Sequence, residues 1–307
     1  MFYINIAVLL FSFFVIIYMV QKMATEHKYA MVQETFSGSN TIEEEYVIPT
    51  DKLYDGFYAG IYDSLVQGEK SRIPFEVEII VEYIKRLVPE KEYWSILDIG
   101  CGTGDHCAEF TKYGAGSVTG LDKSQAMITK AKSKHSDKGI DWKIGDAITV
   151  DLFTPDTFNL VTFFYFSIYY FPNRIDIFKN CYAWMKPGSV LAIHVVNRKK
   201  FDPILDSASP FPAFSLQKYS KERVMHSRVT FDKFEYEANF EIDGANARFK
   251  ENFDFKDGTK RKQEHQLIMP TMEEIIKDAE AGGFRYRDYT DLRKIGYEYM
   301  YLVFLVK

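Results

Sequence analysis

The sequence predicts a doubly wound α/β fold on a mostly parallel sheet, and three observations carry the prediction. First, Ile96 to Ile99 form a short apolar run around Asp98, followed by Gly100, Gly102 and Gly104 at alternate positions and then a helical stretch. This is the pattern of a buried strand, a tight turn and a helix start. Second, two further strand-like runs end in carboxylates, Ser117–Asp122 and Ile140–Ile144 followed by Gly145-Asp146-Ala147. Third, strand and helix alternate as far as Val196, which implies right-handed crossovers. Ligands of such sheets sit outside the carboxyl ends of the strands, where these acids and glycines fall.

At the amino end, Phe2 to Gln21 contain no charged side chain and are nearly all apolar. About 20 such residues span a hydrocarbon core of roughly 30 Å. No Lys or Arg precedes the run and no small-residue cleavage site ends it, so residues 1–21 are expected to be a membrane anchor rather than a signal peptide. Lys22 and Lys28 follow it, and the positive-inside bias then places the bulk of the chain in the cytoplasm. Residues 22–50 are polar and read as a tether, and residues 51–307 as the folded domain.

Within that domain, Tyr54, Tyr58 and Tyr62 recur every fourth residue and share one helix face. That face either packs on the body or lids a ligand. A second helix opens at Pro74, with Phe75, Ile79, Ile80, Tyr83, Ile84 and Leu87 as its expected buried stripe. After the glycine turn and the strand ending at Asp122, Ser124 caps the helix Gln125–Lys134. Phe158–Phe164 is the fourth strand, and an aromatic run through Phe171 leads to a helix from Pro172 to Met185. Lys186–Ser189 reads as a turn before the fifth strand, Val190–Val196. Residues 197–269 then show period-two patterning around turns such as Asp243-Gly244 and Asp257-Gly258, as expected of an antiparallel β insertion covering the site. Thr271–Ala281 is a helix with a capping box, and strands near Phe284–Thr290 and Glu298–Val306 close the sheet.

The net charge of −5 provides no basic field for nucleic acid. Cys101, Cys107 and Cys181 form no C-x-x-C pair, and the six histidines are scattered, so neither a metal site nor a disulfide framework is expected. No feature speaks to oligomeric state. The glycines read G-x-G-x-G, whereas a dinucleotide turn wants its third glycine one place later, where Asp105 would repel a pyrophosphate. A cofactor without phosphate fits this turn better, and S-adenosylmethionine (SAM) is one. Asp122, 20 residues beyond Gly102, can accept both ribose hydroxyls, and Asp146 the adenine amine. Alone, Asp146 reads more readily as a turn cap; with Asp98 and Asp122 at two other strand ends, the ligand reading prevails.

ILDIGCGTG, GLDKSQAMI, KIGDA, FNLVTFF and MKPGS, in this order and spacing, resemble the motifs of class I SAM-dependent methyltransferases. The resemblance implies a Rossmann-like sheet of seven strands, the last antiparallel. It implies that Gly100, Cys101, Gly102 and Gly104 approach the methionine part, with Asp98 near its amino group through the turn. Asp122 with Lys123 would hold the ribose, and Asp146 with Ala147 the adenine; Tyr62 and Phe164 complete the implied cofactor contacts. Asn159 and Ser189 replace the more usual Asp and Gly. The Tyr-rich opener, GTGDH and the β insertion further resemble small-molecule N-methyltransferases such as the amino-sugar N,N-dimethyltransferases and glycine N-methyltransferase-like enzymes. No [DN]-P-P-[YF] follows the fourth strand, which disfavours base or glutamine methylation.

A neutral amine must lose a proton when methylated, so a base can assist. His194, near the end of the fifth strand, is one candidate, against the commoner meaning of a buried strand histidine with satisfied nitrogens. Tyr165 is the other. Phe166 and Tyr169 are expected to wall the substrate side, and aromatic faces favour a cationic acceptor. The expected activity is methyl transfer to a small, amine-bearing acceptor. A membrane-associated protein or lipid methyltransferase, a SAM-binding module without turnover, and a nicotinamide oxidoreductase are the alternatives.

Overall fold

A computed structural model describes residues 47–66, 72–87, 89–90, 94–204, 217 and 222–307. The expected anchor, residues 1–21, and the tether as far as residue 46 lie outside the described residues. Among the described residues no helix is long and apolar enough to cross a membrane. The last tether positions belong to the fold instead. Ile48 bridges Gln263, and Thr50 Oγ1 donates to the Glu264 carbonyl at 3.0 Å.

Helices α1 (Gly56–Val66) and α2 (Ile73–Ile84) precede the alternating region. It runs β1 (Ser95–Ile99), α3 (Asp105–Lys112), β2 (Ser117–Asp122), α4 (Gln125–Lys134), β3 (Asp141–Ile144), β4 (Phe158–Phe163), α5 (Arg174–Trp184) and β5 (Met185–Val196). An insertion, β6 (His226–Thr230), β7 (Phe234–Asp243), β8 (Asn246–Phe255) and β9 (Lys260–Ile268), comes next. Helix α6 (Met272–Ala281), β10 (Arg285–Asp291) and β11 (Met300–Val306) complete the fold. The main sheet has the order β10-β11-β5-β4-β1-β2-β3. Strands β1, β2, β3, β4 and β5 pair in parallel, and β11 is antiparallel to both neighbours, as expected.

Strands β1, β4, β5 and β11 are buried on both faces and correspondingly apolar, as central strands under two helix layers must be. Residues Met185–Ser189, expected as helix end and turn, are drawn into the long β5, with Gly188 at φ 79°.

The buried stripe of α2 is rotated from the expected one. Phe75 and Leu87 are each 48% exposed, while Ile73, Glu76, Val77, Ile80, Val81 and Ile84 are buried. Glu76 occupies an apolar position because His106 Nε2 lies 2.9 Å from its Oε2 and Arg72 Nε 3.7 Å away. A buried carboxylate needs such partners.

The insertion forms its own four-stranded antiparallel sheet, β6-β7-β8-β9. One face carries the ion pairs Arg248–Glu241 and Lys250–Glu241, at 3.0 and 2.8 Å. The other buries Phe234, Tyr236, Ala238 and Phe253 with Tyr58 and Leu65 of α1. The fourth strand, β9, takes in the basic triplet Lys260-Arg261-Lys262.

Candidate functional site

A cavity of about 340 Å³ opens at the carboxyl ends of β1, β2 and β4, within the size range of small-ligand sites. A more open recess of about 550 Å³ lies at the opposite ends of the strands, among Ser95, Ser117, Asp141 and Phe158. Ligands of open parallel sheets do not collect there.

The floor of the cavity is the glycine turn. Gly100 and Gly102 have φ of 72° and 55°, left-handed values that glycine adopts without penalty, and both line the cavity. The Gly102 amide donates to Asp122 Oδ2 at 2.9 Å and the Ser124 amide to Oδ1 at 2.8 Å, so the β2 carboxylate is locked beside the turn. Burial raises Asp122 above the ordinary carboxylate value, against the lowering pull of those amides and of Lys123. Lys123, Asp146 and Ala147 continue the wall. Asp146 also receives the Ile148 amide at 3.2 Å, so the turn-cap and ligand-wall readings both describe it.

Helix α1 lies over this floor. Tyr54, Tyr58 and Tyr62 all line the cavity, with a Tyr62 ring carbon 3.8 Å from where a Gly102 side chain would begin. The helix is pinned to the turn by Asp63, which accepts from Thr103 Oγ1 at 2.6 Å and from Lys134 Nζ at 2.8 Å. Asp55 caps its start through the Tyr58 amide and holds Arg261 of β9 at 2.7 Å. The tyrosine face therefore does both of the things left open by the sequence, packing on the insertion and covering the cavity. The substrate side has Phe164, Tyr165 and Phe166, with Phe240, Phe249 and His265 arriving from the insertion.

Five expected site residues do not line the cavity. Asp98 is buried beneath the turn, where Thr162 Oγ1 donates to it at 2.8 Å and Cys107 Sγ lies 3.7 Å away; burial raises it to about 6. It supports the turn from below. Cys101 is buried, with its sulfur 3.0 Å from where a Gly120 side chain would begin. Gly104 (φ 86°) faces not the ligand space but Trp142, whose ring would lie 2.2 Å from an added Cβ. Tyr169 is a core residue whose oxygen accepts the Val196 amide at 2.7 Å. His194 is fully buried, 3.6 Å from Glu76, with neither ring nitrogen hydrogen-bonded. Burial, with the Arg72 guanidinium, lowers it to about 4 against the raising pull of Glu76, so both the catalytic expectation and the satisfied-histidine alternative give way to a neutral core imidazole. The second candidate base, Tyr165, does line the cavity, with φ 52° and its ring under the Arg72 guanidinium at 3.9 Å.

Sequence reasoning missed Glu251, His265 and Tyr170. Glu251 is fully buried and takes four hydrogen bonds, from Tyr58 (3.2 Å) and Tyr236 (2.7 Å) on Oε1 and from Gln263 (2.6 Å) and His265 Nε2 (2.6 Å) on Oε2. His265 Nδ1 lies 2.5 Å from the Tyr170 hydroxyl, which lies 2.7 Å from that of Tyr54. A signal existed: Glu251 falls in phase with Ala247, Phe249 and Phe253 on the inward face of β8, an acid on an apolar register.

Residues 96–188 match the family described as "Methyltransferase domain". Similar curated proteins include a dTDP-3-amino-3,4,6-trideoxy-α-D-glucopyranose N,N-dimethyltransferase of Streptomyces venezuelae, 33% identical over 28% of this chain and 35% of that protein. A dTDP-4-amino-2,3,4,6-tetradeoxy-D-glucose N,N-dimethyltransferase of Saccharopolyspora spinosa is 30% identical over 47% of this chain and 56% of that protein. The chain thus spans about a third to a half of the length of these relatives. Among solved structures, a SAM-dependent methyltransferase from Clostridium acetobutylicum superposes with a TM-score of 0.59 at 19% identity, over 81% of this chain and 97% of that one. A SAM-bound amino pentose methyltransferase from Micromonospora echinaspora gives 0.57 at 21%, over 80% and 96%. Residues 96–188 thus match a methyltransferase domain, and the fold around them is the Rossmann-like one of these solved structures.

Proposed function

We propose that the protein transfers a methyl group from SAM to a small, amine-bearing acceptor. The observation that carries this reading is the single cavity wall shared by Gly102, Asp122 and Asp146, closed on its far side by aromatic residues of α1 and the insertion. The residues fit the cofactor. Gly102 leaves its backbone bare under Tyr62, Asp122 presents a carboxylate fixed by two amides, and Asp105 stands where a dinucleotide turn has its third glycine. When bound, SAM supplies a methyl group already activated on a sulfonium. The chain's own task is alignment, the main source of rate in such displacements. Gly100 and Gly102 bear on the methionine part, Asp122 on the ribose, and Asp146 with the Ala147 amide on the adenine. The aromatic residues Phe164, Tyr165 and Phe166 exclude water and offer ring faces to a cation.

A capped aromatic cavity favours a small molecule over a protein tail or lipid. The names of the similar amino-sugar N,N-dimethyltransferases point the same way. The test is transfer of a radiolabelled methyl group into dTDP-3-amino-3,4,6-trideoxy-α-D-glucopyranose, with anionic vesicles and histone-like tails as competitors. Label in vesicle lipid or peptide instead would replace this reading. Residues 1–21 serve, in the same proposal, as a single membrane anchor with the domain on the cytoplasmic side; alkaline extraction releasing the full chain from membranes would refute that part.

A further inference from the structure

We propose that Tyr54, Tyr170, His265 and Glu251 form a proton relay leading from the cavity into the insertion; this deepens the methyl-transfer reading and rests on it. The direction of the relay follows from hydrogen-bond bookkeeping. A carboxylate only accepts, so with Glu251 ionised the 2.6 Å contact requires Nε2 of His265 to donate. The four hydrogen bonds donated to Glu251 favour that ionised state. With His265 uncharged, Nδ1 carries no proton, so the hydroxyl of Tyr170 donates to it across 2.5 Å. Tyr170 has spent its one proton, so Tyr54 donates to Tyr170 across 2.7 Å. The lone pairs of the Tyr54 oxygen are left to receive a proton from the cavity, which Tyr54, Tyr170 and His265 all line.

The step balances. As the acceptor nitrogen bonds the methyl carbon, the carbon–sulfur bond breaks and its electron pair stays on sulfur. The nitrogen's proton passes to Tyr54, the Tyr54 proton to Tyr170 and the Tyr170 proton to Nδ1, leaving an imidazolium against the Glu251 carboxylate. Burying an ionised carboxylate costs several kcal/mol, whereas Phe234, Ala238 and Phe253 on the same inner face need no such partners. The groups facing His265 are Glu251 and Phe249 of β8, Tyr54 just before α1, Tyr58 in its first turn, and Tyr170. Tyr236 and Gln263 face the same carboxylate.

The test reads the imidazole nitrogens of the full-length ¹⁵N-labelled protein by long-range ¹H–¹⁵N correlation, with His265→Gln assigning the signal. At pH 7.5 the relay requires the neutral Nε2–H form, with an Nδ1 signal that moves in Tyr170→Phe. An Nδ1–H tautomer, an imidazolium at that pH or an unmoved signal overturns it. In turnover of dTDP-3-amino-3,4,6-trideoxy-α-D-glucopyranose, Tyr170→Phe and His265→Gln are expected to lower kcat on the order of 100-fold. The rising limb of the pH profile should be lost, with affinity for S-adenosylhomocysteine unchanged; unchanged kcat in either variant also overturns the relay. Absence of cofactor binding by the wild type would sink the methyl-transfer reading alone, because the imidazole spectrum of the free protein still decides whether the relay is oriented as described.

Discussion

Two glycines of one turn do different jobs, and replacing each by alanine separates them. At Gly104 (φ 86°) an added Cβ would lie 2.2 Å from Trp142 Cη2, 2.8 Å from Cζ3 and 3.2 Å from Ala131 Cβ. A left-handed L-residue costs about 1–2 kcal/mol, and overpacking a filled site about 1–3 kcal/mol more. At Gly102 (φ 55°) the nearest atom would be Tyr62 Cε1 at 3.8 Å, an ordinary contact, so only the backbone cost of about 1–2 kcal/mol applies. With roughly 2–4 °C of Tm per kcal/mol for a domain of this size, Gly104→Ala should lower Tm by about 5–15 °C and Gly102→Ala by a few degrees. The order reverses for ligand binding. The Gly102 methyl enters the cavity and should weaken S-adenosylhomocysteine at least about tenfold, a loss of about 1.4 kcal/mol. Folded Gly104→Ala should bind it nearly normally. Differential scanning calorimetry and titration calorimetry on both variants provide the check. Equal Tm losses, or undiminished binding in Gly102→Ala, would refute the assignment of the two glycines.

Four further outcomes follow from the same packing. His194, lowered to about 4 by burial with the Arg72 guanidinium, favours the fold fully above its ordinary value near 6.5 and loses that contribution as pH falls from 6.5 to 4. The stability difference between wild type and His194→Phe should therefore shift by about 3 kcal/mol across that window, and a pH-independent difference in urea melts would contradict the burial argument. Glu76 is pushed up by burial, but the His106 hydrogen bond and the Arg72 guanidinium overcome this and hold it at about 2, so Glu76→Gln should cost stability above pH 4.5 and progressively less below it. Asp63→Asn removes the carboxylate that holds Thr103 and Lys134; proteolysis within α1 should accelerate and S-adenosylhomocysteine should bind several-fold more weakly, whereas unchanged protection would show that the aromatic packing alone holds the lid. Thr271→Ala removes the capping box of α6 and should cost about 1 kcal/mol in chemical denaturation.

The parts legible in the sequence are those written in local pattern. The strand-glycine-helix sequence placed Gly100, Gly102 and Asp122 together beside the cavity because each depends on residues within one βαβ unit. Tyr62 was legible through helical spacing alone. Gly104 was misassigned because alternate glycines look alike in sequence, while their neighbours differ: Trp142, which Gly104 accommodates, lies on the outer strand β3. His194 has the chemistry of a base, but whether a histidine on β5 meets the cavity depends on which side of the sheet carries Glu76. That in turn depends on the rotation of α2. The Glu251–His265–Tyr170–Tyr54 chain joins positions up to 116 residues apart, and its β8–β9 portion exists only in one hairpin register, with Phe249 opposite His265 and Glu251 opposite Gln263. A slip of one residue would turn all of these to solvent. The phase of Glu251 among apolar positions hinted at burial, but not at its partners.

The central claim is that Asp122, held by the Gly102 and Ser124 amides beside a bare glycine turn, grips the ribose of an S-adenosyl ligand. Titration calorimetry of the wild type and Asp122→Ala with S-adenosylhomocysteine tests it most directly. Saturable one-to-one binding by the wild type, weakened by at least about 100-fold (near 2.7 kcal/mol) in a variant that still melts cooperatively, is the predicted result. Equal affinity in the two proteins, or no heat of binding in the wild type, would contradict it.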